Sequence, residues 1–170
     1  MSFIEWRTLF DDIFDGYSDE WTLTYVHRND KIQNQKLENK RRMERTGYAK
    51  FYCSKCWNSW ASAKAKVFLY YPNTNEPLGR ITLRFFGQQC RKCSRNKIYF
   101  VNPEFDEDWI ESTLEKLYER IGWFCYGKER LTKPIKNDQQ ANNIAGPHEK
   151  ALCEACQLGC CDQTSIKKNC

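Results

Sequence analysis

Histidine is nearly absent from these 170 residues: His27 and His148 are the only two. General-base chemistry therefore has few candidates. Catalytic signatures are missing as well. There is no P-loop and no Gly-x-Ser-x-Gly. The zinc-deaminase pattern requires His-x-Glu ahead of Pro-Cys-x-x-Cys, and His148-Glu149-Lys150 does not supply it. No βαβ setting surrounds a Cys-x-x-Cys pair, which argues against a thioredoxin-like redox role. The chain is expected not to be an enzyme. Long apolar runs are lacking too. The longest, Val67 to Tyr71, is strand-sized, far from the ~18 residues of a membrane span. Met-Ser-Phe-Ile-Glu-Trp at the start has neither a basic nor an apolar signal region. The expected location is the cytoplasm.

Cysteine, by contrast, is abundant, with ten residues. Cytosolic thiols stay reduced, so they read as metal ligands before disulfides. Aromatics make up 15% of the chain, too many for a disordered polypeptide. Charge is unevenly spread. Residues 1–20 carry six acids against Arg7, and residues 104–119 carry seven acids against Lys116. Between them, residues 50–97 carry ten bases against Glu76. A basic block of that kind suits nucleic acid, an anionic membrane or an acidic partner.

Periodicity predicts an amphipathic helix from Ser2 to about Gly16, with Phe3, Trp6, Phe10, Ile13 and Phe14 on one face. Ser2 and Glu5 match a capping box. A strand is expected over Trp21 to Arg28. Residues 29–46 are polar and read as a solvated loop or exposed helix. Short strands follow at Tyr48 to Tyr52, Trp60 to Tyr71 and Arg80 to Gln89, the last two separated by the turn chemistry of residues 72–77. A second helix is expected from Asp106 to about Tyr126, its apolar stripe made by Trp109, Ile110, Leu114, Leu117 and Ile121. Residues 127–147 read as a linker. The fold class is α+β: a small antiparallel sheet with a zinc-ribbon-like hairpin, flanked by an N-terminal helix and a helix after the second Cys-x-x-Cys. Residues 1–161 form the expected domain and 162–170 a short tail.

Three Cys-x-x-Cys pairs, at Cys53/Cys56, Cys90/Cys93 and Cys153/Cys156, have the spacing that turns two sulfurs toward one tetrahedral zinc. Cys56 precedes the outgoing strand of the hairpin and Cys90 follows the returning one. Their 33-residue separation is filled by two strands and a turn. A site of Cys53, Cys56, Cys90 and Cys93 follows. The third pair needs two more ligands. His148, Cys160 and Cys161 are available, and His148, Cys153, Cys156 and Cys161 make a reasonable set. The alternative is that the third pair completes a site shared with an earlier pair. Two zinc ions are expected. Cys125 reads as a core residue and Cys170 as free.

One face of the hairpin would present Lys64, Lys66, Arg80 and Arg84 beside Phe68, Tyr70 and Phe86. Bases hold phosphates and aromatic rings stack on nucleobases, so this face is a candidate RNA surface. The other reading is a plain solvated face, or one whose aromatics pack beneath the second helix.

Three blocks of the sequence resemble the receptor-transporting proteins, which carry a 3CxxC-type zinc-binding domain. The first is Phe51-Tyr52-Cys53-Ser54-Lys55-Cys56 with Trp60-Ala61-Ser62-Ala63. The second is Gly79-Arg80, Phe86-Gly87-Gln88-Gln89-Cys90-Arg91-Lys92-Cys93 and Pro103-Glu104-Phe105. The third is Gly146-Pro147-His148, Cys153-Glu154-Ala155-Cys156-Gln157-Leu158-Gly159 and Cys161. The resemblance implies a protein that binds G-protein-coupled chemosensory receptors, olfactory and taste types among them, and promotes their delivery to the cell surface. One branch of the family binds viral RNA through the zinc domain. Typical members end in a single membrane anchor. This sequence ends at Cys170 without an apolar tail, so membrane association is expected through a partner or a missing C-terminal anchor. With an anchor, the cytoplasmic face of the endoplasmic reticulum or plasma membrane would be the location.

Overall fold

The structure is a computed structural model and describes residues 2–73, 76–93, 99–130 and 148–161. Its elements run α1 (Ser2–Phe14), β1 (Thr22–Tyr25), α2 (Lys31–Leu37), β2 (Arg41–Tyr52), β3 (Ser59–Tyr71), β4 (Arg80–Phe86), β5 (Gln88–Gln89), β6 (Phe100–Val101), α3 (Glu107–Cys125), a 3-10 turn (Lys150–Leu152) and α4 (Glu154–Gln157). Four strands form one sheet in the order β1-β4-β3-β2, and β5 and β6 form a separate antiparallel pair.

The architecture is α+β, with a helix at the N-terminus and another after the second Cys-x-x-Cys. The sheet is mixed, where an antiparallel one was expected. β1 lies parallel to β4, with Thr22 opposite Arg80 and Tyr25 opposite Leu83. The backbone N–H of Thr22 donates to the Gly79 carbonyl at 2.8 Å and that of Val26 to the Leu83 carbonyl at 2.9 Å, one at each end of the pairing. Entry to β4 depends on Gly79, whose φ is +106°; a Cβ there would sit 2.6 Å from the Glu20 carbonyl oxygen. Only glycine combines that dihedral with that approach.

The residues cluster into two units. Of the described residues, the first holds 2–45, 68–73, 76–84 and 106–130. Here α1 packs on α3. Trp6 meets Trp109 edge to face, with centroids 6.3 Å apart, and Phe14 meets Tyr118 at 5.6 Å and 86°. Trp6, Phe10, Ile110, Leu114, Leu117 and Ile121 are wholly buried. The stripe on α3 arises from helical spacing, and Glu107 and Asp108 in its first turn oppose the positive end of the helix dipole. Gly127, at φ +63°, turns the chain at the far end, where Lys128 N–H bonds to the Gly122 carbonyl.

Residues 29–46 are more structured than their polarity suggests. Asp30 caps α2, accepting the Gln33 N–H at 2.9 Å. β2 begins at Arg41, well before Tyr48. Its arginines cover aromatic rings: Arg41 over Phe124 at 4.3 Å, Arg42 over Phe68 at 4.8 Å and Arg45 over Trp109 at 5.5 Å. Charged side chains thus act as packing groups, which residue polarity does not register.

Of the described residues, the second unit holds 46–67, 85–93, 99–105 and 148–161. Its core contains Ala49, Phe51, Val67, Phe86, Cys53, Cys90, Cys153 and Ala155. The strand expected over Arg80 to Gln89 breaks at Gly87, and its last two residues pair with β6 instead. Much of the expected linker, residues 131–147, and Cys170 lie outside the described residues.

Candidate metal centres

The first cluster joins the turn after β2 to the turn after β5. Cys53 N–H donates to the Asn58 carbonyl at 2.9 Å and Trp57 N–H to the Cys53 carbonyl at 2.8 Å, curling residues 53–58 around the first pair. Cys93 N–H closes the second turn on the Cys90 carbonyl at 3.0 Å. Cys56 Sγ then lies 3.5 Å from Cys90 Sγ, and Cys53 Sγ lies 3.8 Å from Cys93 Sγ. All four sulfurs fall within 4.8 Å of one another. These separations suit the edges of a tetrahedron with bonds of ~2.3 Å to a central zinc and are far beyond the ~2.05 Å of a disulfide. The Asn58 side-chain amide donates to Cys90 Sγ at 3.7 Å, adding support around the thiol.

The second cluster gathers His148, Cys153, Cys156 and Cys161, again within 4.8 Å. His148 Nε2 lies 3.1 Å from Cys156 Sγ and 3.6 Å from Cys161 Sγ. α4 opens at Glu154, between Cys153 and Cys156, and Gly159 at φ +75° reverses the chain toward Cys161. Three contacts hold this segment to the strands. Gln88 bridges Cys153. Gly87 and Glu154 bond twice, through Gly87 N–H to Glu154 Oε2 at 2.7 Å and Glu154 N–H to the Gly87 carbonyl at 3.0 Å. Lys66 Nζ donates to the Cys160 carbonyl at 2.7 Å. Lys66 and Glu154 are 2% and 5% exposed, so these bonds form away from water.

The thiols within each cluster compete for protons. Burial pushes the Cys53 thiol up, but hydrogen bonds from the backbone of Lys55 and Cys56 outweigh it and bring it to about 7. Hydrogen bonding to Cys56, with burial and the nearby Cys53, pushes Cys93 up to about 12. Burial raises Cys153 and Cys156. Such clusters ionise fully only around a cation. His148 is held below its usual value by burial and by Lys64 and Lys150, leaving its imidazole neutral, the form that ligates metal. Each group could hold one zinc ion, with four protein donors apiece as structural sites have. Seven of these eight side chains are thiols; Cys125, the last residue of α3, stands outside both clusters and is half-buried.

The candidate RNA face requires correction. Phe68, Tyr70 and Phe86 are 0%, 6% and 2% exposed, and Lys66 is buried against Cys160. Strand β3 is buried on both faces from Ala65 to Tyr71, so alternation ends where an open face would have begun. Among the seven residues, Lys64 and Arg80 are exposed and Arg84 is half-buried. The rings cannot stack on bases without unpacking the core. Two further features had no sequence signal: the clamp role of Glu154, although it lies inside the third Cys-x-x-Cys, and the exposure of Trp57.

Two closed, thiol-rich ligand sets on a β-framework define a zinc-binding protein of the ribbon type. The chain belongs to the 3CxxC zinc-ribbon family, described as a zinc-binding domain, which it matches over residues 46–159. It is similar to receptor-transporting protein 4 of Homo sapiens, with 35% identity over 66% of this chain and 46% of that protein. The Mus musculus protein of the same name is 33% identical over 69% of this chain and 47% of its own length. Receptor-transporting protein 3 of Mus musculus is 26% identical over 95% of this chain and 34% of its own. The chain thus spans less than half the length of these relatives. No solved structure matches it. Among the described residues, no helix is long and apolar enough to cross a membrane.

Proposed function

We propose that this protein is a non-enzymatic accessory factor that binds G-protein-coupled receptors of the olfactory or taste type and promotes their trafficking to the cell surface. Residues 1–161 are its working module, with Cys53, Cys56, Cys90 and Cys93 holding one zinc and His148, Cys153, Cys156 and Cys161 the other. The carrying observation is the family match over residues 46–159 together with relatives named as receptor-transporting proteins. Four-donor clusters favour a structural zinc, since a catalytic one keeps a position open for water. The proposed location is the cytoplasmic side of the endoplasmic reticulum or plasma membrane. The RNA reading loses its main support with the burial of Phe68, Tyr70 and Phe86.

The test is co-expression with a panel of epitope-tagged olfactory and taste receptors, scoring surface label per cell. Raised surface label, together with co-purification of receptor and chain, is expected. The Cys53→Ser/Cys56→Ser variant should abolish both. No gain at the surface for any receptor, with wild-type chain present at normal levels, would sink the reading.

A further inference from the structure

The tip of the first zinc cluster carries an exposed surface that the metal does not explain. Trp57, directly after Cys56, is 87% exposed, and Tyr52, just before Cys53, is 52% exposed. The sulfur contacts between Cys53 and Cys93 and between Cys56 and Cys90 place the two turns side by side. Three of the outward residues of those turns are basic. Lys55 and Lys92 are exposed, with Lys55 Nζ 4.3 Å from the Tyr99 ring centroid. Arg91 has a side chain 76% exposed and pairs with Glu149. Trp57 has φ +59°, a conformation uncommon for a bulky residue. The turn that wraps Cys53 thus ends in an indole facing water.

An indole and a phenol flanked by lysines form an amphipathic tip. Aromatic rings of this kind sit at the headgroup level of a bilayer, and basic side chains meet anionic headgroups. A nucleic-acid platform would offer successive rings on a flat face; here Phe68, Tyr70 and Phe86 are buried, and the exposed rings stand at the end of β2 and in the turn after it. We propose that the Tyr52–Trp57 tip, with Lys55 and Lys92, docks on an anionic phospholipid surface, Trp57 entering the interface. This goes beyond receptor binding and does not depend on it.

The test uses the zinc-loaded full chain and vesicles of phosphatidylcholine, with or without phosphatidylserine, in co-sedimentation. Binding to the phosphatidylserine vesicles alone is expected. Lys92→Ala should weaken it about fivefold, and Trp57→Ala on the order of tenfold. Arg80→Ala removes an exposed base outside both turns and should change binding little. A vesicle-induced blue shift of tryptophan emission should be present in the wild type and lost in Trp57→Phe. Unchanged zinc content by native mass spectrometry shows that the variants fold. No wild-type binding, or equal binding by Trp57→Ala, overturns the proposal. So does a Trp57-dependent affinity for an RNA oligonucleotide with vesicle binding independent of Trp57. The assay contains no receptor, so its failure leaves the surface-delivery test standing, and the reverse holds.

Discussion

Single residues in this protein do work that their type does not announce. Gly79 is set by its positive φ and by the Glu20 carbonyl. Gly79→Ala combines a disfavoured dihedral with a backbone clash and should cost about 2 kcal/mol or more, read as a lower urea midpoint. Glu154 is a buried acceptor for the Gly87 N–H. Glu154→Ala strands that donor and should cost about 1–3 kcal/mol. Because Glu154 lies between two proposed ligands, the same variant should release zinc from the second cluster to a chelator faster than from the first. Dye-coupled release in two separable phases would check this; identical kinetics for both ions would contradict it. The neighbours of these residues in sequence say little about either role, because the clashing carbonyl and the stranded amide come from far along the chain.

At the scale of elements, the helices and strands follow from different kinds of information. α3 is legible because Trp109, Ile110, Leu114, Leu117 and Ile121 repeat at helical spacing, a local property. β2 is not, because its arginines gain their partners from α3 and β3. Tyr126, which caps α3, carries a pH dependence. Burial, with the hydrogen bond its hydroxyl donates to Asp19 at 2.5 Å, pushes its phenol up to about 12. The folded state then holds a proton that the unfolded chain releases near ~10. Stability is fully present below pH ~10 and falls as pH rises from there to about 12. Tyr126→Phe should flatten this alkaline loss and leave the pH dependence of stability unaltered between roughly pH 7 and 9. Urea midpoints across the range would show it, and an unchanged alkaline slope would count against it.

For the molecule as a whole, the first ligand cluster joins two turns distant in sequence, whereas the second draws all its donors from residues 148–161. Metal binding of this kind is folding free energy. Native mass spectrometry should find two zinc ions per chain. Cys53→Ser/Cys56→Ser and Cys153→Ser/Cys156→Ser should each lose one, and a strong chelator should remove both with loss of near-ultraviolet dichroism. Retention of two ions by either double variant would refute the proposed pairing.

Cysteine spacing and hydrophobic period alone determined that thiols come in metal-ready pairs, that a hairpin joins the first two, and that helices flank the β-structure. Those are short-range properties: two residues between sulfurs, and side chains repeating along one element. Only the tertiary structure decided that β1 runs parallel to β4, that β3 is covered on both faces and that Phe68, Tyr70 and Phe86 are buried. It also decided that Lys66 and Glu154 hold the third pair from inside, and that Trp57 faces water. Burial depends on what packs from elsewhere in the chain, and a residue's own neighbours in sequence carry no record of that.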